Sequence, residues 1–506
     1  MGFRSVECLG LFYNERVRAP ILDSEFGSPD GFYDPHFGLR GRRPAAPLGV
    51  AGSGERAVGL TLIRKSAGRP PRRNPKVALV LAGGAVSGGA FKVGGLKALN
   101  DYLVGRDVTG LDTYVGLSAG AMLAVPLAGG IGPDEMIRVL EGTSERFEQL
   151  RPLDFYNPNW REFWERPARF GLDLASYLPG VSLELLRQLP DLPHSVGGPA
   201  RDLIREPSWT GVERFVMALM EYTTPNRELP SPINHLPTGF FDNSSLERWM
   251  RRGLERSGLP NDFREFERCR DVHLYLSACD LDTADRVVFG ADENHSITIA
   301  QAIQASTALP IFYRPARLKG VDYVDGGVRN TANIDVAIEK GADLIICYNP
   351  FRPFLNETDE AAAHHLFADD RYLSDRGLKL VLNQVFRTLL HSRLKLALQR
   401  YLADDRFHGD IVLIEPREHD RQFFDLNPIA FWRRSEAVQH GFESVRDTIE
   451  RNFDQLSEVL GAYGLEMSRE AAGSRARDIR EERGWSPVQA QETTEREAAN
   501  LRLVRS

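Results

Sequence analysis

The sequence predicts an α/β protein in which a mostly parallel sheet is covered by helices, with a helical cap and C-terminal helical additions. Two short apolar runs, beginning at Val77 and Thr113, end in glycine and lead directly into helical patterns. Three later runs, at 272–281, 343–349 and 410–416, are too apolar for exposed hairpins and are typical of strands buried on both faces. A chain of 506 residues is long enough to bury one large core of this kind.

Composition along the chain predicts four segments. They differ in glycine, proline, aromatic and charged content. The segments are an irregular N-terminal arm at 1–75, an α/β domain at 76–350 with an aromatic helical insertion at about 130–265, a mainly helical extension at 351–466 with a strand near 410–416, and a polar tail at 467–506 that we expect to be disordered.

Overall composition narrows the functional classes. A net charge of −7 gives no reason to expect binding to nucleic acid. The four cysteines, Cys8, Cys269, Cys279 and Cys347, lack metal-binding spacing and are expected to be reduced and inert. Neither a Cys/His cluster nor a calcium loop occurs, so we expect no metal and no cofactor. The sequence shows no signal peptide and no transmembrane run, which favours a cytoplasmic protein.

A serine between glycines follows the second strand. Gly116-Leu117-Ser118-Ala119-Gly120 has the pattern of a nucleophile elbow, a sharp turn from strand to helix that exposes a serine hydroxyl. Gly116 and Gly120 lack the Cβ atoms that would keep sheet and helix apart. The following helix directs its N-terminal dipole at the place where negative charge develops. Ser118 is therefore the candidate nucleophile.

A glycine-rich loop, 81–89, follows the first strand and precedes a helix. Its backbone N–H groups at Gly83, Gly84, Ala85 and Gly88 are candidates for an oxyanion hole. The alternative is a phosphate cradle for a nucleotide, although the loop matches neither the P-loop pattern nor a regular G-x-G-x-x-G.

An aspartate before two glycines lies about two hundred residues after the serine. Asp325 and its neighbours Gly326 and Gly327 follow the run Ala-Ser-Thr-Ala-Leu-Pro at 305–310. Such an aspartate has three possible roles: it turns the chain, it accepts the serine proton, or it orients a histidine that accepts it.

The glycine loop, the G-x-S-x-G sequence and the D-G-G sequence, in this order, resemble the patatin-like phospholipases from about Lys76 to Pro350. The resemblance implies a Ser-Asp dyad: Ser118 as nucleophile, Asp325 as base, and an acyl-enzyme intermediate in the hydrolysis of lipid esters. The loop departs from the family pattern, because it lacks three successive glycines followed by a basic residue. This departure affects the choice of oxyanion donors more than the reaction.

Three alternatives remain open at this stage. An α/β-hydrolase triad would use a histidine after Asp325, and the candidates are His364, His365, His391, His408, His419 and His440. A lipid acyltransferase would use the same dyad and pass the acyl group to an alcohol. A non-catalytic protein of this fold would only bind a lipid or a protein partner.

The segment 376–402 is basic and apolar and contains no acidic residue. Its first turns place Leu378, Leu382, Val385, Phe386 and Leu389 on one face of a helix. Such a helix either packs against its own core or lies on a membrane surface. We therefore expect a lipid ester as substrate, with peripheral membrane contact through this segment, and the sequence does not predict the oligomeric state.

Overall fold

The computed structural model describes residues 56–57, 59–66, 73–188, 197–205, 207–212, 214–215, 232–356 and 372–482. Residues 1–55, most of the predicted N-terminal arm, lie outside these ranges. All the described residues belong to one structural unit, Gly52–Ser506.

The centre of the fold is a parallel array of five strands. They are neighbours in the order β7 (His273–Asp280), β5 (Thr113–Leu117), β3 (Val77–Leu81), β12 (Leu344–Tyr348) and β13 (Asp410–Ile414). Every pair in this order is parallel. These are the five apolar runs that the sequence singles out as buried strands, and helices cover both faces. The predicted fold class is confirmed.

Antiparallel strands extend both edges of this array into a ten-stranded sheet. On one side are β1 (Arg56–Ala57) and β2 (Leu60–Arg64), and on the other are β8 (Arg286–Phe289), β10 (Ala316–Leu318) and β11 (Val321–Asp325). Because β2 pairs with β13, the prediction of an irregular arm is wrong for residues 60–64. In β2, Leu60 and Leu62 belong to the larger apolar core and Ile63 to the smaller one, as expected for a strand with both faces covered.

Two small sheets lie apart from the main one. The first joins β4 (Leu103–Val104) to β14 (Glu466–Met467), and the second joins β6 (Gly239–Phe241) to β9 (Ile311–Tyr313). Short 3-10 helices cover Pro232–His235, Gly326–Val328, Leu373–Arg376 and Phe431–Arg433.

The helices fall into a group before β7 and a group after it. Those before it are α1 (Ala85–Tyr102), α2 (Ala119–Ala128), α3 (Pro133–Glu141), α4 (Pro152–Phe155), α5 (Trp160–Gln188), α6 (Gly197–Arg205), α7 (Ser244–Arg256) and α8 (Phe263–Arg270). Those after it are α9 (Ile299–Ser306), α10 (Ile334–Glu339), α11 (Leu378–Ala403), α12 (Arg421–Asp425), α13 (Arg434–Arg451), α14 (Phe453–Gly461) and α15 (Arg469–Glu482).

Two separate apolar cores lie on opposite faces of the sheet. Helices α1, α2, α9 and α13 contribute to the larger core, and α10 and α11 contribute to the smaller one. Side chains alternate between the two cores along β3, as expected for a strand with both faces covered. The predicted C-terminal extension therefore supplies one strand of the parallel array, β13, and helices that pack on both faces of the sheet.

The described part of the predicted insertion is mainly helical, and several of its aromatic side chains, including Trp160 and Trp164, are exposed. In the predicted tail, residues 469–482 form helix α15, so the expectation of disorder is wrong for this stretch. Arg475 in this helix donates to the carbonyl oxygen of Asn100, which ties the helix to α1. Residues 483–506 lie outside the described part. None of the described helices combines the length and the apolar character needed to cross a membrane.

Candidate active site

Ser118 lies at the end of β5, immediately before α2. Its φ of 54° is in the left-handed region, which a residue with a side chain rarely adopts. Its backbone N–H donates a 2.7 Å hydrogen bond to Ser306 Oγ. This contact helps to hold the strained conformation that directs the serine side chain out of the turn.

The glycines on either side of Ser118 are required by close packing. A Cβ atom at Gly120 would lie 2.0 Å from the carbonyl oxygen of Leu81, and one at Gly116 would lie 2.7 Å from the Cα of Ala121. Both distances are shorter than van der Waals contact. The elbow therefore brings the start of α2 against the end of β3, where the glycine loop begins.

Asp325 ends β11 and is buried, with 3% of its surface exposed. The Gly327 N–H donates to its Oδ1 at 2.8 Å, and the Ser118 side chain lies close enough to favour the charged form of the carboxylate. Gly326 allows the chain to turn here, since a Cβ atom on it would lie 2.7 Å from the carbonyl oxygen of Ser277. The structure thus brings together two residues that are far apart in sequence.

The pKa of the Asp325 carboxyl is raised to about 6. Burial is the main cause, because it penalises the charged form. Hydrogen bonds from the Ser118 side chain and the Gly327 N–H oppose this shift, as does the positive charge of Lys92. The carboxylate is therefore a stronger base than a solvent-exposed aspartate and still ionises near neutral pH.

The run at 305–310 supports both residues. Ser306 Oγ accepts the N–H of Ser118, and the carbonyl oxygen of Ala308 accepts the N–H of Asp325 at 2.9 Å. No chemical role is predicted for this run from the sequence. Its structural role is to fix the backbones of Ser118 and Asp325 relative to each other.

The glycine loop presents unpaired backbone donors beside the serine. Within the described ranges, the N–H groups of Gly83, Gly84 and Ala85 have no hydrogen-bond partner. Gly83 lies close to the nucleophile, since a Cβ atom on it would be 3.4 Å from Ser118 Cβ. The Gly88 N–H donates to the carbonyl oxygen of Gly84 at 2.9 Å. Gly88 is therefore removed from the predicted set of donors, because its N–H belongs to the first turn of α1.

Lys92 on α1 is a site residue that the sequence did not reveal. It is fully buried, and its Nζ donates to the carbonyl oxygens of Ala82 and, at 3.1 Å, Gly83. Burial lowers the pKa of Lys92 to about 7, while the nearby Cys347 and Asp325 act in the opposite direction. In the sequence, Lys92 is a polar residue within an apolar helical pattern, and it lies ten residues after Ala82, whose carbonyl oxygen it contacts. The sequence pattern therefore does not indicate this contact.

An apolar cavity opens beside Ser118. Its lining comes from α1, α2, the helical insertion and the segment before α13. The lining side chains include Val93, Met122, Leu140, Leu150, Phe155, Leu246, Leu309, Tyr313, Ile429 and Phe431, with Thr307 and Arg434 as the polar members. The apolar lining suits a hydrocarbon chain rather than a polar group.

Among the residues that the structure describes, no histidine lines this cavity. His391 pairs with Glu415, and His440 pairs with Asp420 at 2.7 Å. His419 contacts the carbonyl oxygen of Leu355. His364 and His365 lie outside the described ranges.

Residues 79–338, just over half of the chain, match the family model of the patatin-like phospholipases. The chain belongs to this family. Membership supports a lipid hydrolase at the level of the family, and the matched patatin-like region contains the glycine loop, Ser118 and Asp325. The family match ends before β12 and β13, although both strands belong to the central sheet.

Solved structures similar to this patatin-like chain include two bacterial proteins and one human protein. VipD from Legionella pneumophila is 16% identical, with a TM-score of 0.32, over 78% of this chain and 71% of VipD. ExoU of the Pseudomonas aeruginosa type III secretion system, in complex with SpcU, is 16% identical, with a TM-score of 0.30 and coverages of 82% and 61%. Human GIVD cytosolic phospholipase A2 is 11% identical, with a TM-score of 0.31 and coverages of 77% and 60%. This chain thus covers less than two thirds of the length of the last two.

Proposed function

We propose that this protein hydrolyses carboxylic esters of lipids through a Ser118-Asp325 dyad and an acyl-enzyme intermediate. The observation that carries the proposal is that the strained Ser118 lies beside the buried Asp325 carboxylate, next to three backbone N–H groups that have no partner within the described ranges. Nucleophile, base and oxyanion donors are the groups that acyl transfer requires.

In the acylation step, Ser118 Oγ attacks the carbonyl carbon of the ester and its proton passes to Asp325. The C=O π bond opens to a tetrahedral oxyanion. When the intermediate collapses, the bond to the alcohol oxygen breaks and Asp325 returns its proton to that oxygen. The products of this step are the free alcohol, for example a lysolipid, and an acyl ester on Ser118.

The second step reverses these roles with water. Asp325 takes a proton from water as the water oxygen attacks the acyl carbonyl. Collapse breaks the bond to Ser118 Oγ, which recovers its proton from Asp325. The fatty acid leaves and the enzyme returns to its starting state without a metal or a cofactor.

The oxyanion is assigned to the N–H groups of Gly83, Gly84 and Ala85. In a trans peptide the N–H points away from the carbonyl of the same peptide unit. Lys92 holds the carbonyls of Ala82 and Gly83 on the buried side, so it directs the N–H groups of Gly83 and Gly84 toward Ser118. Lys92 thus acts as a positioning residue, because it fixes the orientation of these two peptide units.

The substrate class is a lipid ester with at least one long acyl chain. The cavity beside Ser118 is lined almost wholly by apolar side chains. Burying a methylene group contributes about 0.8 kcal/mol, so chain length is expected to contribute strongly to affinity.

Incubation with a mixed lipid extract, followed by mass spectrometry of the products, tests the proposal. The wild-type protein is expected to release fatty acid and the matching lysolipid, whereas Ser118→Ala releases neither. Added glycerol separates hydrolysis from acyl transfer, because a transferase would form new glycerol esters. Equal product formation by wild type and Ser118→Ala would refute the serine mechanism.

A further inference from the structure

Helix α11 buries two polar residues and exposes a row of large apolar ones. Its buried side includes two polar residues among its members, which are Leu380, Arg387, His391, Leu394 and Leu398. Its outer side exposes large apolar residues, which are Leu378, Leu382, Val385, Phe386, Leu389 and Leu396. These outer residues recur at spacings of three, four and seven and cover about a third of the helix circumference. For example, 55% of the surface of Phe386 is exposed.

The buried polar residues explain why the helix packs in this orientation. Arg387 stacks on the ring of Phe423 and donates to the carbonyl oxygens of Pro350 and Arg352, at 3.3 and 3.1 Å. His391 pairs with Glu415 at the end of β13. Each of these groups has a partner on the inner side, so reversing the helix would leave them unpaired. The apolar outer face is thus part of the native arrangement.

The same contacts place α11 next to the candidate active site. Pro350 packs against the glycine loop, since a Cβ atom at Gly84 would lie 3.1 Å from Pro350 Cγ. On the other side, Arg393 donates at 2.8 Å to the carbonyl oxygen of Val328, three residues after Asp325. Helix α11 therefore contacts the segments that flank both the glycine loop and the aspartate.

Charge indicates what covers the apolar face. The chain as a whole has a net charge of −7, but α11 contains no acidic residue. Three of its exposed basic side chains, at Lys379, Arg393 and Arg400, fall on or beside the apolar strip. An apolar strip with basic side chains on and beside it complements a bilayer that carries anionic headgroups, because acyl chains receive the apolar groups and phosphates receive the cations.

We propose that the outer face of α11 docks this protein on an anionic lipid bilayer and holds the active-site edge of the sheet at the membrane. The docking face is defined by Leu378, Leu382, Val385, Phe386, Leu389 and Leu396. This inference deepens the proposed function, because it assigns a membrane rather than a dispersed lipid as the source of substrate.

Vesicle sedimentation of the full-length Ser118→Ala protein tests the docking face without hydrolysis of the vesicles. We expect binding to phosphatidylcholine vesicles that contain about one fifth phosphatidylglycerol, and much weaker binding to pure phosphatidylcholine. Adding Phe386→Asp is expected to lower the partition coefficient about tenfold or more, since it places a charge where the proposal inserts an aromatic ring into the bilayer. Thr388→Asp is the matched control: it places the same charge on an exposed, non-apolar position of the same helix.

Several outcomes would overturn the docking proposal. One is equal vesicle binding by the Phe386→Asp and Thr388→Asp proteins. Another is a dimer in light scattering that Phe386→Asp dissociates, because the face would then bind a second copy of this chain. A monomer that binds neither kind of vesicle would also contradict it.

A soluble short-chain ester separates this proposal from the proposed function. With Ser118 intact, Phe386→Asp is expected to hydrolyse such an ester at the wild-type rate and to lose activity only on anionic vesicles. If the wild type hydrolyses no ester but the Ser118→Ala protein still binds vesicles through this face, the proposed function fails and the docking surface stands.

Discussion

Two strand-turn-helix units meet at the candidate active site, and they present different groups from the same local architecture. In the elbow, between β5 and α2, the strained residue is Ser118, and its N–H is bonded to Ser306 while its side chain reaches Asp325. In the glycine loop, between β3 and α1, the donors are left unpaired within the described structure and Lys92 bonds the carbonyls. What each turn bonds on its buried side decides which atoms it presents to the substrate.

The two units also have backbone strain in common. Both units contain a non-glycine residue with positive φ, at 54° for Ser118 and 50° for Ala85. Such a conformation costs on the order of 1–3 kcal/mol for a residue with a side chain. The hydrogen bonds of Ser306 with the elbow and of Lys92 with the loop counteract this cost, so substitutions in the two units are expected to lower turnover to different extents.

The largest effect is expected in the elbow. Ser118→Ala removes the nucleophile and one small hydroxyl, so ester hydrolysis should fall by about 10⁴–10⁶ while the protein remains folded. Steady-state assays together with thermal unfolding measure both quantities. Activity close to wild type in folded protein would show that the nucleophile lies elsewhere.

Asp325→Asn keeps the shape of the side chain but removes the proton acceptor, and kcat should fall by about 10²–10⁴. The pH profile gives an independent measure. Because Asp325 must be ionised to accept a proton and its pKa is raised to about 6, kcat/KM in the wild type should fall as the pH drops through about 6 and level off above it. A profile that stays flat down to pH 4.5 would contradict a buried carboxylate base.

A smaller effect is expected in the glycine loop. Lys92→Met replaces the ammonium by an apolar group of similar length, so kcat should fall by about tenfold to a hundredfold with little change in KM, since the oxyanion forms only after binding. Loss of the positive charge should also raise the pKa of Asp325 and move the acid limb of the profile to higher pH. Lys92→Arg retains the charge and is the matched control for the shift of the limb. A stability defect with unchanged kcat and pH profile would make Lys92 merely structural.

The next largest effect on activity is expected from a substitution in the cavity beside Ser118. Leu140 lines it and its carbonyl oxygen accepts a hydrogen bond from Arg434 at 2.9 Å. Leu140→Trp should fill part of the space for the acyl chain and lower the ratio of kcat/KM for long-chain over short-chain esters by about tenfold. An unchanged ratio would place the acyl chain outside this cavity.

The smallest effect is expected for the histidines. His391→Gln and His440→Gln should each reduce activity by less than about tenfold, because general-base catalysis alone contributes about 10²–10⁴ and neither ring lies in the cavity. His364→Gln and His365→Gln should behave in the same way. A single histidine variant that is folded and inactive would replace the dyad by a triad.

The five parallel strands and the elbow could be predicted because their signals are local. An apolar run, a glycine turn and a helical pattern follow one another within about thirty residues, as in 77–102 and 113–128. The role of Asp325 was harder to predict, because an aspartate before two glycines is common in turns. Only the order of the three motifs along the chain indicated its role.

The remaining features depend on contacts that sequence periodicity does not reveal. Lys92 reads as a polar residue within an apolar helix, and its role follows from the two carbonyls that it meets in the folded chain. Helix α11 has apolar residues on two sides, and the choice between them depends on the partners of Arg387 and His391. For β2, the short run at 60–64 became a strand because β13 offered an edge.

The central claim is that Asp325 activates Ser118 directly. Labelling with an alkyl fluorophosphonate, followed by peptide mapping, tests it most directly, because the probe reacts only with an activated serine. The wild-type protein is expected to carry the phosphonate on Ser118, Asp325→Asn to react more slowly by about 10² or more, and His391→Gln and His440→Gln to react at the wild-type rate. Labelling of Ser118 at an undiminished rate in Asp325→Asn, or labelling at a different serine, would contradict the dyad.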